Sequence, residues 1–282
     1  MKKGMVLEGG AMRGLFSAGV LDVLLTNGIE FDGAIGVSAG AAFGCNYKSK
    51  QAGRVLRYNT NYAHDKRLCS IWSLLLTGDL YGAKFCYDTL PKKLDIMDAK
   101  TYLSNPMEFW VVCTNAETGE PVYQILENLD DRDLAYMQAS ASMPVVSRAV
   151  RIDGMKLLDG GISDSIPIRA FEDLGYEKNV VILTQPPGFV KPPMKGMELM
   201  KFLMRKYPAV FEDLRIRHIR YNETLEYLKE KEKEGSVLII QPHEKLPVGR
   251  IEHDTQVIRT VYDEGIRTGE EMLGKVREFL NG

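Results

Sequence analysis

The first 50 residues alternate short apolar runs with longer helical stripes. Residues 5–7 form an apolar run that suits a buried strand, and residues 15–25 follow a broad helical stripe that stops at Asn27-Gly28. Residues 31–37 repeat the strand pattern, and the alanine- and glycine-rich residues 39–47 begin a second helix. Two consecutive strand–helix units predict a parallel sheet with right-handed crossovers.

The same patterns continue through the rest of the chain without an internal repeat. Further strands are predicted at residues 109–113, 122–126, 180–184 and 237–240. Further helices are predicted at residues 87–94, 131–140, 167–174, 195–206, 210–233 and 254–280. Residues 148–152 and 155–158 form a predicted hairpin that turns at Asp153-Gly154. The least regular stretches are residues 64–86 and 186–210.

These elements predict an α/β fold in which helices cover both faces of a central, mainly parallel sheet. A length of 282 residues is long but acceptable for one domain of this class. The motifs that carry chemistry fall within residues 4–190, and residues 191–282 are mainly helical. We therefore predict a single domain over residues 1–282, in which a motif-bearing core is followed by a helical C-terminal part.

The charge balance narrows the classes of partner. The chain carries 36 basic and 38 acidic residues, a formal net charge of −2, so it has no overall basic field for nucleic acid or an anionic membrane. No apolar stretch approaches the roughly 20 residues that span a bilayer, and the N-terminus lacks the apolar region of a secretory signal. Four cysteines without metal-type spacing are expected to be reduced and mostly buried: Cys45, Cys69, Cys86 and Cys113. These features predict a cytoplasmic protein.

The sequence Gly36-Val37-Ser38-Ala39-Gly40 places one serine between glycines where a predicted strand turns into a helix. A sharp turn of this kind lifts the hydroxyl clear of the backbone, as a nucleophile requires. Because a Gly-x-Ser-x-Gly pattern also arises by chance, the assignment depends on two further glycine motifs, at residues 8–14 and 159–161.

The upstream motif, Glu8-Gly9-Gly10-Ala11-Met12-Arg13-Gly14, lies between a predicted strand and a predicted helix. Consecutive small residues let backbone N–H groups converge at a helix N-terminus, where they can stabilise an oxyanion. Arg13 either pins this loop, adds positive potential or makes an ordinary surface ion pair. Phosphate binding is disfavoured, because the loop lacks the Gly-x-Gly-x-x-Gly spacing and Leu15 and Phe16 stand where a Walker-type loop has Lys and Ser or Thr.

A serine nucleophile also needs a base within hydrogen-bonding reach. The chain has four histidines, none with a turn or glycine signature: His64, His218, His243 and His253. His243, which follows Gln241-Pro242 and a predicted strand, is the best of them for a triad in the order serine, acid, histidine.

Asp159-Gly160-Gly161 offers a different base. It places a carboxylate at a strand end, followed by two residues whose lack of side chains lets the carboxylate approach Ser38. A second turn is the alternative reading of these three residues. We predict a dyad of Ser38 and Asp159, with a histidine triad through His243 as the alternative.

Together the three motifs resemble the signatures of bacterial patatin-like phospholipases, a family of serine acyl hydrolases with a Ser-Asp dyad. Residues 9–14 resemble the family's Gly-Gly-Gly-x-Arg/Lys-Gly oxyanion loop, residues 36–40 its nucleophile elbow and residues 159–161 its catalytic acid. Residues 114–121 and 139–144 also resemble the family, so the resemblance covers about residues 4–190. One departure is Ala11, where the family usually has a third glycine, but a small residue still allows an inward N–H.

The resemblance implies a three-layer α/β/α fold and a hydrolase of lipids or other acyl esters that needs no metal or cofactor. It implies that Ser38 and Asp159 form the catalytic dyad and that the N–H groups of Gly9, Gly10 and Ala11 hold the oxyanion. It implies supporting roles for further loop residues, namely Arg13, Gly14, Gly36, Gly40, Gly160 and Gly161. The expected partner is a lipid or other acyl-ester substrate, with peripheral membrane contact. A non-catalytic lipid- or acyl-binding protein of the same fold is the rival hypothesis.

Residues 186–220 leave two interpretations open. Four methionines either fill ordinary gaps in the core or form a mobile cap over an acyl-binding cleft: Met194, Met197, Met200 and Met204. Seven basic residues either belong to an ordinary amphipathic helix or favour an anionic lipid surface: Lys195, Lys201, Arg205, Lys206, Arg215, Arg217 and Arg220.

Overall fold

One mixed sheet of eight strands runs through the protein, whose computed structural model describes residues 1–282. Five strands run parallel to one another: β1 (Lys2–Leu7), β2 (Gly33–Val37), β3 (Glu108–Asn115), β7 (Tyr176–Ile182) and β8 (Val237–Ile240). Three strands pair in antiparallel fashion: β4 (Pro121–Ile125), β5 (Val150–Ile152) and β6 (Met155–Asp159). The order is β5-β6-β3-β2-β1-β7-β8, and β4 also pairs with β3. The predicted α/β class with a mainly parallel sheet is confirmed.

Ten α-helices connect and cover these strands. They are α1 (Gly14–Thr26), α2 (Ala39–Lys48), α3 (Arg54–Asn61), α4 (Ile71–Thr77), α5 (Ala99–Ser104), α6 (Asp131–Ser140), α7 (Ile168–Asp173), α8 (Met197–Leu203), α9 (Pro208–Glu234) and α10 (Thr255–Asn281). Short 3-10 turns cover Ala11–Arg13 and Gly160–Ile162, and Phe85–Leu94 forms a π-helix. No helix combines the length and the apolar character needed to cross a bilayer.

The differences from the sequence prediction concentrate in residues 54–104. Helices α3, α4 and α5 lie there without having been predicted, and α4 occupies part of the stretch predicted to be irregular. Its ends carry ordinary signals, since Ser70 accepts the N–H of Ser73 at 2.9 Å and Gly78 adopts a left-handed conformation. The helix predicted at residues 87–94 is the π-helix, and Pro91 inside it lacks the N–H that regular helical bonding needs.

Successive residues of β1 point to opposite layers. Met5 and Leu7 belong to a buried cluster that includes side chains of α1, α2 and α10, whereas Val6 belongs to a second cluster with side chains of α7 and α9. Helices therefore cover both faces of the sheet. This arrangement confirms the three layers that the family resemblance implies.

Residues 191–282 contribute to the same layers. Strand β8 pairs with β7, and α10 packs along α1. A β-carbon at Gly19 would collide with the carbonyl oxygen of Tyr262, and one at Gly265 would collide with that of Phe16. The close approach of α1 and α10 therefore depends on glycine in both helices.

The methionines of residues 194–204 lie against the protein. Met204 is buried, and Met194, Met197 and Met200 pack half-buried against a small cluster that contains Val210. The four methionines thus pack against the protein, and a mobile cap over an acyl-binding cleft stays a prediction. Helix α8 has no fully buried residue, so this contact is peripheral to the main core.

Candidate active site

The carboxyl ends of β2 and β6 meet along one edge of β3. Strand β2 runs parallel to β3 and ends with Val37 opposite Val112. Strand β6 runs antiparallel to β3 and ends with Asp159 opposite Cys113, the next residue of β3. Because β4 pairs with the opposite edge over the same residues, β2 and β6 share an edge. Two strands that are distant in the sequence therefore bring Ser38 and Asp159 together.

Ser38 occupies the turn from β2 into α2. Its backbone has a positive φ of 55° with ψ of −117°, a strained conformation for a residue with a side chain. Its N–H donates to Oγ of Ser140 at 3.0 Å, which ties the turn to the end of α6. Within residues 36–40, Ser38 is the only residue that is not buried. The hydroxyl is thus held at an accessible position on a rigid turn.

The flanking glycines allow this turn to lie close to the sheet. A β-carbon at Gly36 would lie 2.5 Å from the carbonyl oxygen of Gly40, and one at Gly40 would collide with the carbonyl oxygen of Leu7. A side chain at either position would therefore displace the turn that carries Ser38.

Asp159 is buried at the end of β6, beside the serine. Its Oδ1 accepts the N–H of Gly161 at 2.7 Å, and its Oδ2 has no hydrogen-bond partner. No hydrogen bond joins Asp159 to Ser38, although the Ser38 side chain is close enough to influence the pKa of the carboxyl. Catalytic hydrogen bonds are often long before substrate binds. Oδ2 is therefore a buried acceptor that remains open for a hydrogen bond.

Burial raises the pKa of the Asp159 carboxyl above its ordinary value, because the charged form loses hydration. The Ser38 hydroxyl, the positive charge of Arg217 and the N–H of Gly161 act in the opposite direction and favour the carboxylate. A raised pKa suits a group that must accept a proton and return it within one reaction cycle.

Gly160 and Gly161 hold this carboxylate in a narrow space. A β-carbon at Gly160 would collide with the carbonyl oxygen of Val112. One at Gly161 would lie 3.0 Å from Oδ1 of Asp159 and 2.9 Å from Nη2 of Arg217. Glycine at position 160 therefore allows the chain to lie close to β3. Glycine at position 161 leaves space for the side chains of Asp159 and Arg217.

The loop after β1 brings unpaired N–H groups to Ser38. The N–H groups of Gly9 and Gly10 donate no hydrogen bond within the protein. A β-carbon at Gly9 would lie 3.1 Å from Cβ of Ser38, so the loop runs directly beside the serine. Ala11 has a positive φ of 49°, which glycine adopts more readily. The alanine at this position of the motif therefore adds backbone strain.

Helices α1 and α2 begin next to each other beside this loop. A β-carbon at Gly14 would lie 2.8 Å from Cβ of Ala39. The N–H of Arg13 donates to the carbonyl of Gly10 at 3.1 Å, which forms the 3-10 turn leading into α1. Two adjacent helix N-termini give positive potential at the place where an oxyanion would form.

Glu8 fixes the position of the loop at residues 9–14. Its Oε2 accepts the N–H and the hydroxyl of Thr184 at 2.6 Å and 3.0 Å, and its Oε1 accepts the Tyr221 hydroxyl at 2.6 Å. A β-carbon at Gly10 would lie 2.8 Å from Oγ1 of Thr184, so the loop rests on this threonine. The buried carboxylate is therefore fully engaged in positioning the loop.

No histidine hydrogen-bonds to Ser38 or Asp159. Nε2 of His243 lies 2.8 Å from Oε2 of Glu271, and both side chains are about half exposed. His243 follows β8, which lies three strand positions from β2, a separation of about 14 Å at the usual strand spacing. The structure therefore brings the aspartate to the serine and leaves His243 elsewhere.

Several residues that shape the site receive no individual role from the sequence, although some of them lie within its motifs. They are Glu8, Ser140, Ser142, Thr184 and Tyr221, which position the three loops. Ser142 accepts the N–H of Asp159 at its carbonyl, at 2.9 Å. Residues 139–144 were noted only as resembling the family, and that resemblance was the available signal for the two serines. Thr184 and Tyr221 follow no local motif.

Two cavities of about 360 and 330 Å³ lie away from the serine. The first is lined by residues of the π-helix and α6, and the second by residues 162–173 and α9. Neither lining includes Ser38 or Asp159. Arg217 borders the second cavity and the space around Asp159.

A family model described as patatin-like phospholipase matches residues 5–172, which is more than half of the chain. The chain therefore belongs to the patatin-like phospholipase family. A second model, described as a domain of unknown function (DUF6363), matches residues 207–281, the part that contains α9, β8 and α10.

Known proteins are similar to much of this chain. YjjU of Escherichia coli strain K12 is 30% identical over 190 residues, covering 64% of this chain and 52% of YjjU. Lysophospholipase NTE1 of Candida albicans is 26% identical over 187 residues, covering 64% of this chain and 13% of the relative. The chain thus spans about half the length of the first relative and a small part of the second. The structure of VipD from Legionella pneumophila is similar in fold, with a TM-score of 0.52 at 13% identity over 96% of this chain and 67% of VipD.

Proposed function

We propose that the protein is a serine hydrolase of lipid acyl esters in which Ser38 is the nucleophile and Asp159 the base. The observation that carries the proposal is the meeting of β2 and β6 on β3, which sets an accessible hydroxyl beside a carboxylate oxygen without a partner. Family membership supports the same reaction class. The lysophospholipase relative supports an ester whose acyl chain is a fatty acid.

In the first half of the reaction, Oγ of Ser38 attacks the ester carbonyl carbon while its proton passes to Oδ2 of Asp159. The carbonyl oxygen becomes an oxyanion held by the N–H groups of Gly9, Gly10 and Ala11 and by the two helix N-termini. The bond to the leaving alcohol then breaks, and the alcohol takes the proton from Asp159. An acyl ester on Ser38 remains.

In the second half, water attacks the acyl carbonyl and gives its proton to Asp159. The bond between Ser38 and the acyl carbon breaks, Oγ recovers the proton, and the fatty acid leaves. Asp159 therefore accepts and returns one proton in each half, which its raised pKa supports.

The test is a panel of lipid esters followed by mass spectrometry of the released fatty acids. The panel contains phospholipids, lysophospholipids and neutral glycerides, with the Ser38→Ala protein as the blank. We expect release by the wild-type protein from at least one member, and none above the blank for Asp159→Asn. Normal turnover in Asp159→Asn together with loss in His243→Ala would replace the dyad by a histidine triad.

We further propose that α4 brings the site to a lipid surface. Four of its seven residues are large, apolar and at least 60% exposed: Ile71 (70%), Trp72 (60%), Leu75 (70%) and Leu76 (80%). An exposed apolar face with a tryptophan is typical of helices that lie in the membrane interface. Of the basic residues considered above, Arg215 and Arg220 are paired with acidic neighbours, so the apolar helix supports membrane contact better than they do.

Helix α4 is also linked to the site. The N–H of Leu80 donates to the carbonyl of Val146 at 2.8 Å, and Oδ1 of Asp79 accepts the N–H of Arg148 at 2.9 Å. These bonds join the end of α4 to the segment that follows Ser142, whose carbonyl holds the N–H of Asp159. A lipid bound at α4 would therefore lie next to a segment that is hydrogen-bonded to the site.

Vesicle co-sedimentation tests this surface. Leu75→Asn and Leu76→Asn each remove one buried apolar contact with lipid, so we expect about tenfold weaker binding to phosphatidylcholine vesicles. Leu103→Asn is the matched control, because Leu103 is 55% exposed on α5, outside this helix. Equal binding by all three variants would contradict the assignment to α4. The cytoplasmic compartment and the lack of a nucleic-acid partner stay predictions from the sequence.

A further inference from the structure

Helix α8 and the residues around it carry a local excess of positive charge. Residues 195–206 contain one acidic residue, Glu198, and four basic ones: Lys195, Lys201, Arg205 and Lys206. The whole chain, in contrast, has slightly more acidic than basic residues, 38 against 36. All five charged residues of this segment are exposed. The segment therefore forms a positive patch on a protein that is close to neutral overall.

Helix α8 packs one face on the protein and leaves the opposite face in solvent. Three methionines at intervals of three and four residues pack on the small cluster that contains Val210: Met197, Met200 and Met204. Three large apolar side chains at helical spacing lie on the other side: Leu199 (64% exposed), Phe202 (61%) and Leu203 (40%). The helix thus has an apolar face that no part of the protein covers.

Basic side chains border this apolar face. Lys201 precedes Phe202 in the helix, and Cζ of Arg205 lies 4.9 Å from the ring centre of Phe202. At this distance a cation–π interaction holds the guanidinium beside the ring. Positive charge is therefore placed next to exposed apolar side chains, which is typical of helices that lie in the interface of an anionic bilayer.

The packed face of α8 rests on the part of the protein that carries Asp159. The cluster beneath the methionines contains Leu158 and Ile162, the residues that flank Asp159-Gly160-Gly161 in the chain. Helix α8 is therefore separated from the end of β6 by side chains of this cluster alone.

The same cluster connects α8 with the segment that holds α4. Ala149 packs against the cluster, and it follows Val146 and Arg148, which are hydrogen-bonded to the residues at the end of α4. This segment also exposes Val145, whose exposed fraction is 47%. Two helices with exposed apolar side chains therefore border one short segment, residues 145–149.

An anionic lipid surface fits both properties of α8. Anionic headgroups attract each nearby lysine or arginine, and the boundary between headgroups and acyl chains accommodates leucine and phenylalanine. A nucleic acid would satisfy the charges but would leave the apolar face without a contact. A zwitterionic bilayer would cover the apolar face but would leave the positive patch without an opposite charge.

We propose that α8, together with Lys195, Lys201, Arg205 and Lys206, forms a docking surface for anionic lipid. This inference rests on the proposed function, because it names the kind of lipid surface at which the same site works. Helix α4 supplies apolar contact with a bilayer of any charge, whereas α8 adds a preference for negative charge. The docking surface lies in residues 173–206, which neither family model covers.

Co-sedimentation of the Ser38→Ala protein with two kinds of vesicle tests the docking surface. One kind is phosphatidylcholine alone, and the other contains about one third phosphatidylglycerol. The readout is the ratio of the partition coefficient for the anionic vesicles to that for the neutral ones. We expect a ratio of about 100 at low salt, a fall of about fivefold in Lys201→Gln and in Arg205→Gln, and a fall of about 25-fold in the double variant.

Two further variants in the same background serve as controls. Lys229→Gln removes an exposed charge about 30 Å along α9 from Pro208, beyond the reach of a screened charge, so we expect an unchanged ratio. Leu199→Asn should weaken binding to both kinds of vesicle and leave the ratio unchanged. A ratio near 1 in the Ser38→Ala protein, or a ratio that neither Lys201→Gln nor Arg205→Gln lowers, would overturn the docking surface.

Hydrolysis measurements distinguish this proposal from the proposed hydrolase. Binding to anionic vesicles that Lys201→Gln weakens, with no fatty acid released by the wild-type protein from any lipid of the panel, would support the docking surface and contradict the hydrolase. Release of fatty acid together with a ratio near 1 would do the reverse. With Ser38 in place, Lys201→Gln should keep the turnover of a soluble ester within about twofold, and a larger loss would contradict a role in docking alone.

Discussion

The three glycine-rich loops and residues 191–282 contribute to one site in different ways. The loops, at residues 9–14, 36–40 and 159–161, place their groups through the backbone, with glycines that allow β1, β2 and β6 to end close together. The C-terminal part instead contributes long side chains, such as Arg217 from the middle of the 27-residue helix α9. The first region lies within the patatin-like match and the second lies outside it.

Under the proposed function, the loops carry the groups that react, and the side chains of the C-terminal part influence which substrate is accepted. A hydroxyl, a carboxylate and two unpaired N–H groups suffice for acyl transfer, and the loops provide all of them. Charged side chains that reach in from another segment can change without disturbing those loops. Variants in the first region should therefore affect every substrate, whereas variants in the second should alter the preference among substrates.

The largest effect should come from the proposed dyad. We expect Ser38→Ala and Asp159→Asn each to lower kcat for p-nitrophenyl butyrate by about 10⁴-fold. The nucleophile and its base act as a pair, so the loss of either one removes most of the rate enhancement. Asp153→Asn is the control, since it removes a carboxylate from the exposed hairpin turn, where φ is 52°. A loss below about 10-fold in Asp159→Asn would mean that another group is the base.

Glycine replacements should next separate the two regions by the sign of their effect on stability. In Gly40→Ala the new methyl group meets the carbonyl of Leu7, so we expect about 3 kcal/mol less free energy of unfolding. Gly274 in α10 has open space around it, so Gly274→Ala should raise that free energy by about 0.5–1 kcal/mol. Urea unfolding measures both. Equal effects would show that the elbow is not tightly packed.

Replacement of Arg217 should have a smaller effect, on the pKa of Asp159. It tests the contact between the C-terminal part and the loops. Its positive charge favours the ionised form of Asp159, so Arg217→Gln should raise the pKa of that carboxyl further. The base must be ionised, and the acidic limb of kcat/KM for a neutral ester should therefore move to higher pH. Arg215→Gln should leave the limb in place. A shift to lower pH would contradict the proximity of Arg217 and Asp159.

The smallest effect should come from Ala11→Gly. Relief of the positive φ favours the glycine protein by about 1 kcal/mol, and the greater freedom of glycine in the unfolded chain offsets most of this. We expect a change of about 0.5 kcal/mol or less in unfolding free energy and turnover within twofold. A loss of turnover well beyond that would show that the methyl group itself shapes the oxyanion loop.

The sequence predicts the glycine-rich loops better than the contacts made by distant residues. The elbow, the oxyanion loop and Asp159 each combine a reactive residue with glycines next to it, and such local patterns are readable. The sequence pattern does not predict α3 and α5 because they are short. It does not predict α4 because five of its seven residues are apolar, which leaves only Ser73 and Thr77 to set a helical period. The Gly19–Gly265 contact between α1 and α10 joins residues that no local pattern relates.

The position of Arg217 beside the site could not be predicted from the sequence, for the same physical reason. Arg217 stands in a run of basic and apolar residues at 215–220, and nothing in that run distinguishes it from Arg215 or Arg220. Arg215 and Arg220 pair with carboxylates of the same helix, whereas only the fold shows that Arg217 lies beside Gly161. A sequence pattern shows which face of a helix or strand is buried. Only the fold shows which residues lie against that face.

The proposed reaction requires Ser38 to be a nucleophile that Asp159 activates. Labelling with a fluorophosphonate, followed by peptide mass mapping, tests it most directly, because the probe forms a covalent bond with an activated serine. We expect one adduct, on the peptide that contains Ser38, formed far more slowly in Asp159→Asn and at the wild-type rate in His243→Ala. An unlabelled Ser38 in folded protein, or labelling that Asp159→Asn leaves unchanged, would contradict it.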